Sequence, residues 1–345
     1  MKSNKAMSNL PSYQFSIILP VRNGGSYIKE CINSILSQTI TGFNLIVLES
    51  GSTDGTQEWL KSLIDPRIII HYSETPLSIT ENWDRIKHVE RNKWMTIIGH
   101  DDVLHPNYLE TMSKLIGENS LASLYQSHFN FIDDQGLFMR TCKPMKEKIM
   151  ANGLLDSILS NNINIFGTGF MMRSVDYDAV GGIPLFPNLL SADYVLWIEL
   201  TSRAFLAVSK EYCFSYRINE STTFTTKMER YIEALQLFVD YLLRKKIRLQ
   251  PDITEKEYAN KILSFYCTRI SRRLLTMPLK ERNNLTVTKF LRESKTFAIQ
   301  YTGCHDEFDP SAITGIWIAK LIDQIALTRS LFRLFKRIHP NPILK

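Results

Sequence analysis

A chain of 345 residues can hold one large domain or two ordinary ones, and its 44% apolar and 22% charged content is that of a globular protein. A net charge of +6 suits an anionic substrate or a membrane surface, and the absence of zinc-ligand spacing and of a basic-aromatic RNA signature argues against a nucleic-acid partner. No run approaches the ~18 apolar residues of a membrane span, the polar stretch 1–14 has no apolar signal core, and the five scattered cysteines read as reduced thiols, so a cytoplasmic location is expected.

Residues 15–20 read as a buried first strand, followed by a turn at 21–25 and a helix over 27–38, where Ile28, Cys31, Ile32, Ile35 and Leu36 recur at helical spacing. A second strand over 44–48 runs into the polar stretch 49–56. A short helix (57–64), a third strand (67–72), a helix (80–89) and a fourth strand (95–98) follow. Strands alternating with helices predict an α/β fold with a mostly parallel sheet and helices on both faces. Such sheets bind ligands at the carboxyl ends of their strands, where Asn23, Glu49, Asp54, Asp101 and Asp102 all fall.

The second half is patterned differently. Residues 121–129, a hairpin around 133–136, a segment at 164–172 and the pieces 207–209 and 213–217 read as strands on the far side of the sheet. Helices are expected over 175–180, stopped by Gly181-Gly182, and over 193–205. Beyond Thr226 strand signals cease, and 227–244, 254–276 and 313–336 are helical, with Thr254 and Glu257 spaced as a capping box. The chain thus divides into a tail (1–14), a catalytic domain (15–225) and a helical extension (226–345).

The stretch 94–105 organises the whole. An apolar run ends at Gly99, and two adjacent carboxylates, Asp101 and Asp102, stand at its tip. Two acids there are costly without a cation. A divalent metal holding a diphosphate accepts carboxylate and phosphate oxygens together. The plainer alternative is that Asp102 caps a helix starting near Pro106. Plain alternatives exist elsewhere too: Glu49 as a solvated strand-end acid, Asp54-Gly55 as a turn with a cap, and Asp193 as a helix N-cap.

In this order and spacing, Leu19-Pro20-Val21-Arg22-Asn23, the stretch 49–56, Asp101-Asp102, Gly181-Gly182, Ala192-Asp193-Tyr194 and Tyr216-Arg217-Ile218 resemble glycosyltransferase family 2 across residues 15–224. The resemblance implies the Rossmann-like GT-A fold followed by a helical C-terminal extension outside the family pattern. It implies a nucleoside-diphosphate-sugar donor, uridine first, bound by Pro20, Arg22, Asn23, Glu49, Asp54 and Asp101. It assigns a magnesium or manganese ion to Asp102 and the inverting base to Asp193. The acceptor would be a glycan or lipid-linked hydroxyl in bacterial surface polysaccharide assembly, such as O-antigen or capsule. Three positions depart from the pattern. Arg22 replaces a common aromatic, Ser50 replaces a second acid, and His100 leads the acid motif, either binding phosphate or packing. The rival readings are a sugar nucleotidyltransferase and a non-catalytic glycan- or nucleotide-binding subunit.

The C-terminal region interleaves Lys320, Arg329, Arg333, Lys336, Arg337 and Lys345 with large apolar residues, against the single acid Asp323. A basic amphipathic helix of this kind reads as peripheral membrane contact. A helix packed on the catalytic domain with a solvated basic face remains the alternative.

Overall fold

The computed structural model describes residues 14–218, 226–249, 252–302 and 308–338. The polar N-terminal stretch (save Gln14), Cys304 and Lys345 therefore lie outside the described residues. The first strand, β1 (Phe15–Val21), is wholly buried. It is followed by α1 (Tyr27–Leu36), β2 (Phe43–Glu49), α2 (Thr56–Lys61), β3 (Ile68–His71), α3 (Ile79–Asp84) with a 3₁₀ turn over Arg85–His88, and β4 (Trp94–Ile97). β1, β2, β3 and β4 are all parallel in the order β3-β2-β1-β4, as the contiguous apolar runs predict. Serine 78 and Glu81 form a reciprocal capping box that starts α3.

Beyond β4 the sheet also takes antiparallel pairings, while most of its paired residues remain parallel, as expected. The elements are β5 (Val103–Leu104), α4 (Tyr108–Glu118), β6 (Leu124–Ile132), β7 (Phe138–Thr141), β8 (Lys148–Ile149), α5 (Ala151–Leu159), β9 (Met171–Arg173), α6 (Ser174–Ala179), α7 (Ala192–Arg203) and β10 (Leu206–Arg217). The sheet continues β4-β9-β6-β10-β5, with β9 antiparallel to both β4 and β6 and β10 parallel to β6. The two extended pieces expected at 207–209 and 213–217 are one strand, irregular in register between Ser209 and Phe214. The hairpin at 133–136 joins β6 and β7 as expected.

Only Met171–Arg173 of the segment expected as a strand over 164–172 pairs in the sheet. The remainder is a largely buried loop whose polar groups are met by distant partners. Trp197 donates its indole N–H to the Phe166 carbonyl (3.0 Å), the Tyr108 hydroxyl donates to the Gly169 carbonyl (3.1 Å), and Asn164 accepts the Lys143 N–H (2.9 Å). Gly169 has φ +75°, and a Cβ there would lie 2.6 Å from the Phe214 ring, so only glycine passes.

The chain forms two compact units. The first holds, among described residues, 14–154, 163–185 and 192–218; the second holds 155–162, 186–191 and everything from 226 on. The helices of the second unit are α8 (Met228–Leu249), α9 (Glu255–Thr276), α10 (Val287–Thr302), α11 (Thr314–Gln324) and α12 (Ala326–Ile338). The Thr254–Glu257 capping box is present. α10 has no counterpart in the sequence reading. The single helix expected over 313–336 is two, broken at Ile325 (φ −110°, ψ 133°). At the break the Thr328 hydroxyl donates to the carbonyls of Ile322 (2.6 Å) and Ile325 (2.8 Å), and Arg329 donates to that of Asp323. Side chains thereby take the carbonyls of Ile322 and Asp323, which a continuing helix would have used.

Candidate active site at the carboxyl edge of the sheet

Two groups of polar residues stand on this edge. The first knots the loops after β1 and β2. Asn23, at φ +53°, donates its N–H to Ser52 Oγ (2.8 Å) and accepts the Thr53 N–H (2.8 Å). Gly24 N–H donates to Thr56 Oγ1 (3.0 Å), and Gly25 N–H to Asp54 Oδ2 (2.8 Å). Asp54 also accepts the Thr56 N–H at the start of α2 (3.1 Å), a local turn bond made while it pins the other loop; the N-cap position itself is Gly55. With both glycine N–H groups engaged, this loop is poorly suited to cradle a triphosphate.

Glu49 ends β2 with no exposure, so it is not a solvated acid. Its carboxylate accepts the Ser52 N–H (2.6 Å) and the Gln57 amide (3.1 Å). Burial pushes the Glu49 carboxyl up, but the bonds from Ser52, Gly51 and Gln57 outweigh it and hold it below the usual range. Beneath it, α3 closes the strand ends. Asn82 donates to the Leu48 carbonyl (2.9 Å), and Arg85 donates to the carbonyls of Glu49 (2.8 Å) and His71 (2.7 Å). Pro20 is buried in β1, and exposed Arg22 donates to the Leu77 carbonyl (3.1 Å). Asn82 and Arg85 were absent from the sequence reading. Their one signal is an i, i+3 polar pair on a short helix.

The second group surrounds Asp101 and Asp102, in the turn between β4 and β5. Asp102 is no helix cap: α4 begins at Tyr108 behind Asn107. It is 2% exposed and accepts the Arg217 N–H (2.9 Å) and a bond from the Thr168 hydroxyl. Burial and then the neighbouring Asp101 charge push its carboxyl well above the usual range. Both acids crowd Gly99, where a Cβ would lie 2.8 Å from Asp101 Oδ1 and 3.0 Å from Asp102 Oδ2. Two carboxylate oxygens therefore converge on one point.

Arg217, at the end of β10, holds this turn from within. Its side chain is 1% exposed and donates to the carbonyls of Asp101 (2.8 Å), Asp133 (3.0 Å) and Asp134 (3.3 Å) and to Glu30 of α1 (2.5 Å). α1 also sets Cys31 Sγ 3.5 Å from the Gly99 carbonyl. The helix that follows the first loop group thus touches the acid turn, and β1 pairs directly with β4.

Asp193 belongs to the same neighbourhood. It is the second residue of α7, inside the first turn rather than at the cap, and accepts the Tyr194 N–H (3.0 Å). Burial of Val195, Leu196, Trp197, Ile198 and Leu200 fixes the helix against the sheet. A Cβ on Gly167 would stand 3.2 Å from the Trp83 ring and 3.9 Å from Asp193 Cβ. The Tyr216 ring stacks on Phe166 (3.8 Å), and its hydroxyl is pushed well up by burial and then by the charges of Asp102, Asp101 and Asp193. All three acids therefore bear on one phenol. Thr168 and Trp83 had no place in the sequence reading, because isolated polar and aromatic residues carry no spacing signal, and Tyr216 entered it only as part of the family pattern, without a role of its own.

Among the described residues no cluster of three His, Cys, Asp or Glu side chains makes a full metal cage. The convergent oxygens of Asp101 and Asp102 nevertheless fit a hard cation whose remaining ligands come from a diphosphate and water. A cation there would offset both the burial and the mutual repulsion that raise Asp102.

Comparison with known proteins agrees with this geometry. The sequence profile of glycosyl transferase family 2 matches residues 16–181. Those residues form a family 2 glycosyltransferase domain. The chain is 28% identical over 266 residues to an uncharacterized glycosyltransferase of Rickettsia prowazekii, covering 74% of this chain and 79% of that one. It is 24% identical to TuaG of Bacillus subtilis, named for a proposed part in teichuronic acid biosynthesis, covering 61% and 82%. Among solved structures, S. aureus TarS 1–349 in complex with UDP-GlcNAc superposes with TM-score 0.63 at 15% identity, over 94% of this chain and 92% of that one. That likeness establishes the GT-A fold. The protein is a glycosyltransferase, and among its described residues no helix is long and apolar enough to cross a membrane.

Proposed function

We propose that the protein is an inverting, divalent-metal-dependent transferase that moves a sugar from a nucleoside-diphosphate donor, UDP-linked first, to a hydroxyl of a glycan or lipid-linked acceptor. The setting is bacterial surface polysaccharide assembly at the cytoplasmic face of the membrane. The observation that carries this reading is the convergence of Asp101, Asp102 and Asp193 around Tyr216 at the carboxyl edge of the sheet. UDP is favoured because TarS, which shares the fold, binds UDP-GlcNAc.

Pro20, Arg22, Asn23, Glu49 and Asp54 would form the nucleoside end, where a guanidinium such as that of Arg22 can stack on a base. Asp102, with Asp101 beside it, would hold the cation; Asp101 also faces the ribose or diphosphate. When bound, magnesium or manganese offsets the charge that develops on the leaving diphosphate. Asp193 takes the proton of the acceptor hydroxyl as its oxygen attacks the anomeric carbon. Attack opposite the leaving group breaks the bond to the diphosphate oxygen and inverts the configuration.

The test is incubation with a donor panel and candidate acceptors, following nucleoside-diphosphate release with and without magnesium or manganese. Metal-dependent release that Asp193→Asn suppresses supports the proposal. Pyrophosphate release from a nucleoside triphosphate would favour a nucleotidyltransferase instead.

A further inference from the structure

α11 is anchored on one side and bare on the other. Its inward residues Ile316, Ala319 and Asp323 are buried. Asp323 pairs with Arg282 (2.5 Å), both side chains at most 1% exposed, and accepts the Val287 N–H (2.7 Å). This fixes the helix to its own unit and fixes which face turns outward. On that face stand Trp317, Leu321 and Ile325, each between 42% and 59% exposed. α12 continues the pattern: Leu327, Leu331, Leu334 and Phe335, spaced i, i+4, i+7 and i+8, form one stripe and are 52% to 66% exposed.

A stripe of this size is ordinarily covered, and its charge identifies the cover. From Ala326 to Ile338 the sequence has Arg329, Arg333, Lys336 and Arg337 and no acid. Lys336 Nζ sits 5.7 Å from the Phe332 ring centre and 6.0 Å from that of Phe335, which sets a cation at the edge of the stripe. A second copy of the chain would bring like charges together. An anionic surface with an apolar interior matches both the stripe and its basic border. At 1.5 Å per residue α11 and α12 are about 16 and 20 Å long, too short for a hydrocarbon core of ~30 Å, so they fit the interface lying flat.

We infer that α11 and α12 together form an in-plane docking face for a lipid bilayer rich in anionic headgroups. The inference is independent of the donor chemistry. The experiment is co-sedimentation of the full chain with vesicles of phosphatidylcholine alone and of phosphatidylcholine with phosphatidylglycerol. Binding to the anionic vesicles should exceed binding to the neutral ones by about tenfold or more at ~0.05 M salt and fall toward the neutral level at ~0.5 M, since charges are screened within a few ångströms there. Leu331→Glu with Phe335→Glu should remove binding at every salt concentration while leaving the melting temperature and solution mass unchanged, because both positions are exposed. Arg333→Glu with Lys336→Glu should remove the salt-sensitive part alone. Trp317 supplies a readout without these variants: its fluorescence should shift to the blue on adding anionic vesicles, and Trp317→Phe should lose that shift. A full chain that ignores anionic vesicles at low salt, with no shift, overturns the inference. So does a stable dimer that Leu331→Glu with Phe335→Glu dissociates while vesicles stay unbound.

Discussion

Glu49 and Asp102 are both carboxylates shut away from water at the ends of strands two places apart in one sheet, yet their protons are held in opposite senses. Glu49 sits in a ring of donors supplied by its own loop, and those bonds overcome burial. Asp102 also has donors, from Arg217 and Thr168, but it has Asp101 at its side, and burial with repulsion wins. One acid builds the loop that carries the nucleoside end. The other is an unfavourable arrangement in the protein alone, of the kind functional sites retain because a ligand relieves it. Stability and activity should therefore separate between the two residues.

The largest effect is expected at Asp102. Asp102→Asn keeps the shape and an acceptor for the Arg217 N–H but removes the charge. Metal-dependent turnover should fall about 10³-fold, while the melting temperature stays level or rises, because a buried repulsion is gone. A variant that turns over normally would take Asp102 out of the metal site. Asp193→Asn comes next. Loss of a positioned base should lower turnover by about 10²-fold or more with donor affinity unchanged by calorimetry. Normal activity per folded molecule would leave Asp193 only a structural part of α7.

Glu49 should behave in the reverse way. Glu49→Ala leaves the Ser52 N–H and the Gln57 amide without their charged partner and should cost about 2 kcal/mol of stability in denaturant unfolding. The sign of its pH dependence follows from its lowered carboxyl. The stability it contributes is present above the usual carboxylate range and is lost as pH falls through its depressed value, so Glu49→Gln should flatten the acid limb of the unfolding profile. An unchanged limb would mean that the bonds around Glu49 do not act on its proton. The smallest effect belongs to Asn23→Ala, which loses the acceptor for the Thr53 N–H and the residue best fitted to positive φ. A cost of about 1 kcal/mol and a modest rise in donor KM are expected, with kcat little changed.

Much of the first half of the fold was legible because its signals are local. A buried parallel strand is a contiguous apolar run, and its carboxyl end is where polar residues begin, so Asn23, Glu49, Asp54 and the Asp pair could be placed on one edge from their positions alone. The segment 164–170 was misread because its apolar residues look like a strand. The bonds that hold it as a loop come from Trp197, Tyr108 and Lys143, between 21 and 61 residues away. The break at Ile325 was hidden for a related reason: both helices keep apolar periodicity, and the interruption lies in side chains that take backbone carbonyls.

By itself the sequence determined the strand–helix alternation, the acid turn after β4 and the basic apolar character of the C-terminal helices, since each depends on residues close together in the chain. Tertiary structure alone decided which carboxylate is satisfied and which is strained. It set Arg217 under a turn that lies more than a hundred residues earlier, and it brought the charge of Asp193 to bear on the Tyr216 hydroxyl. Burial and pairing depend on neighbours in space, and a carboxylate's charge is costly or favourable only once those neighbours are in place.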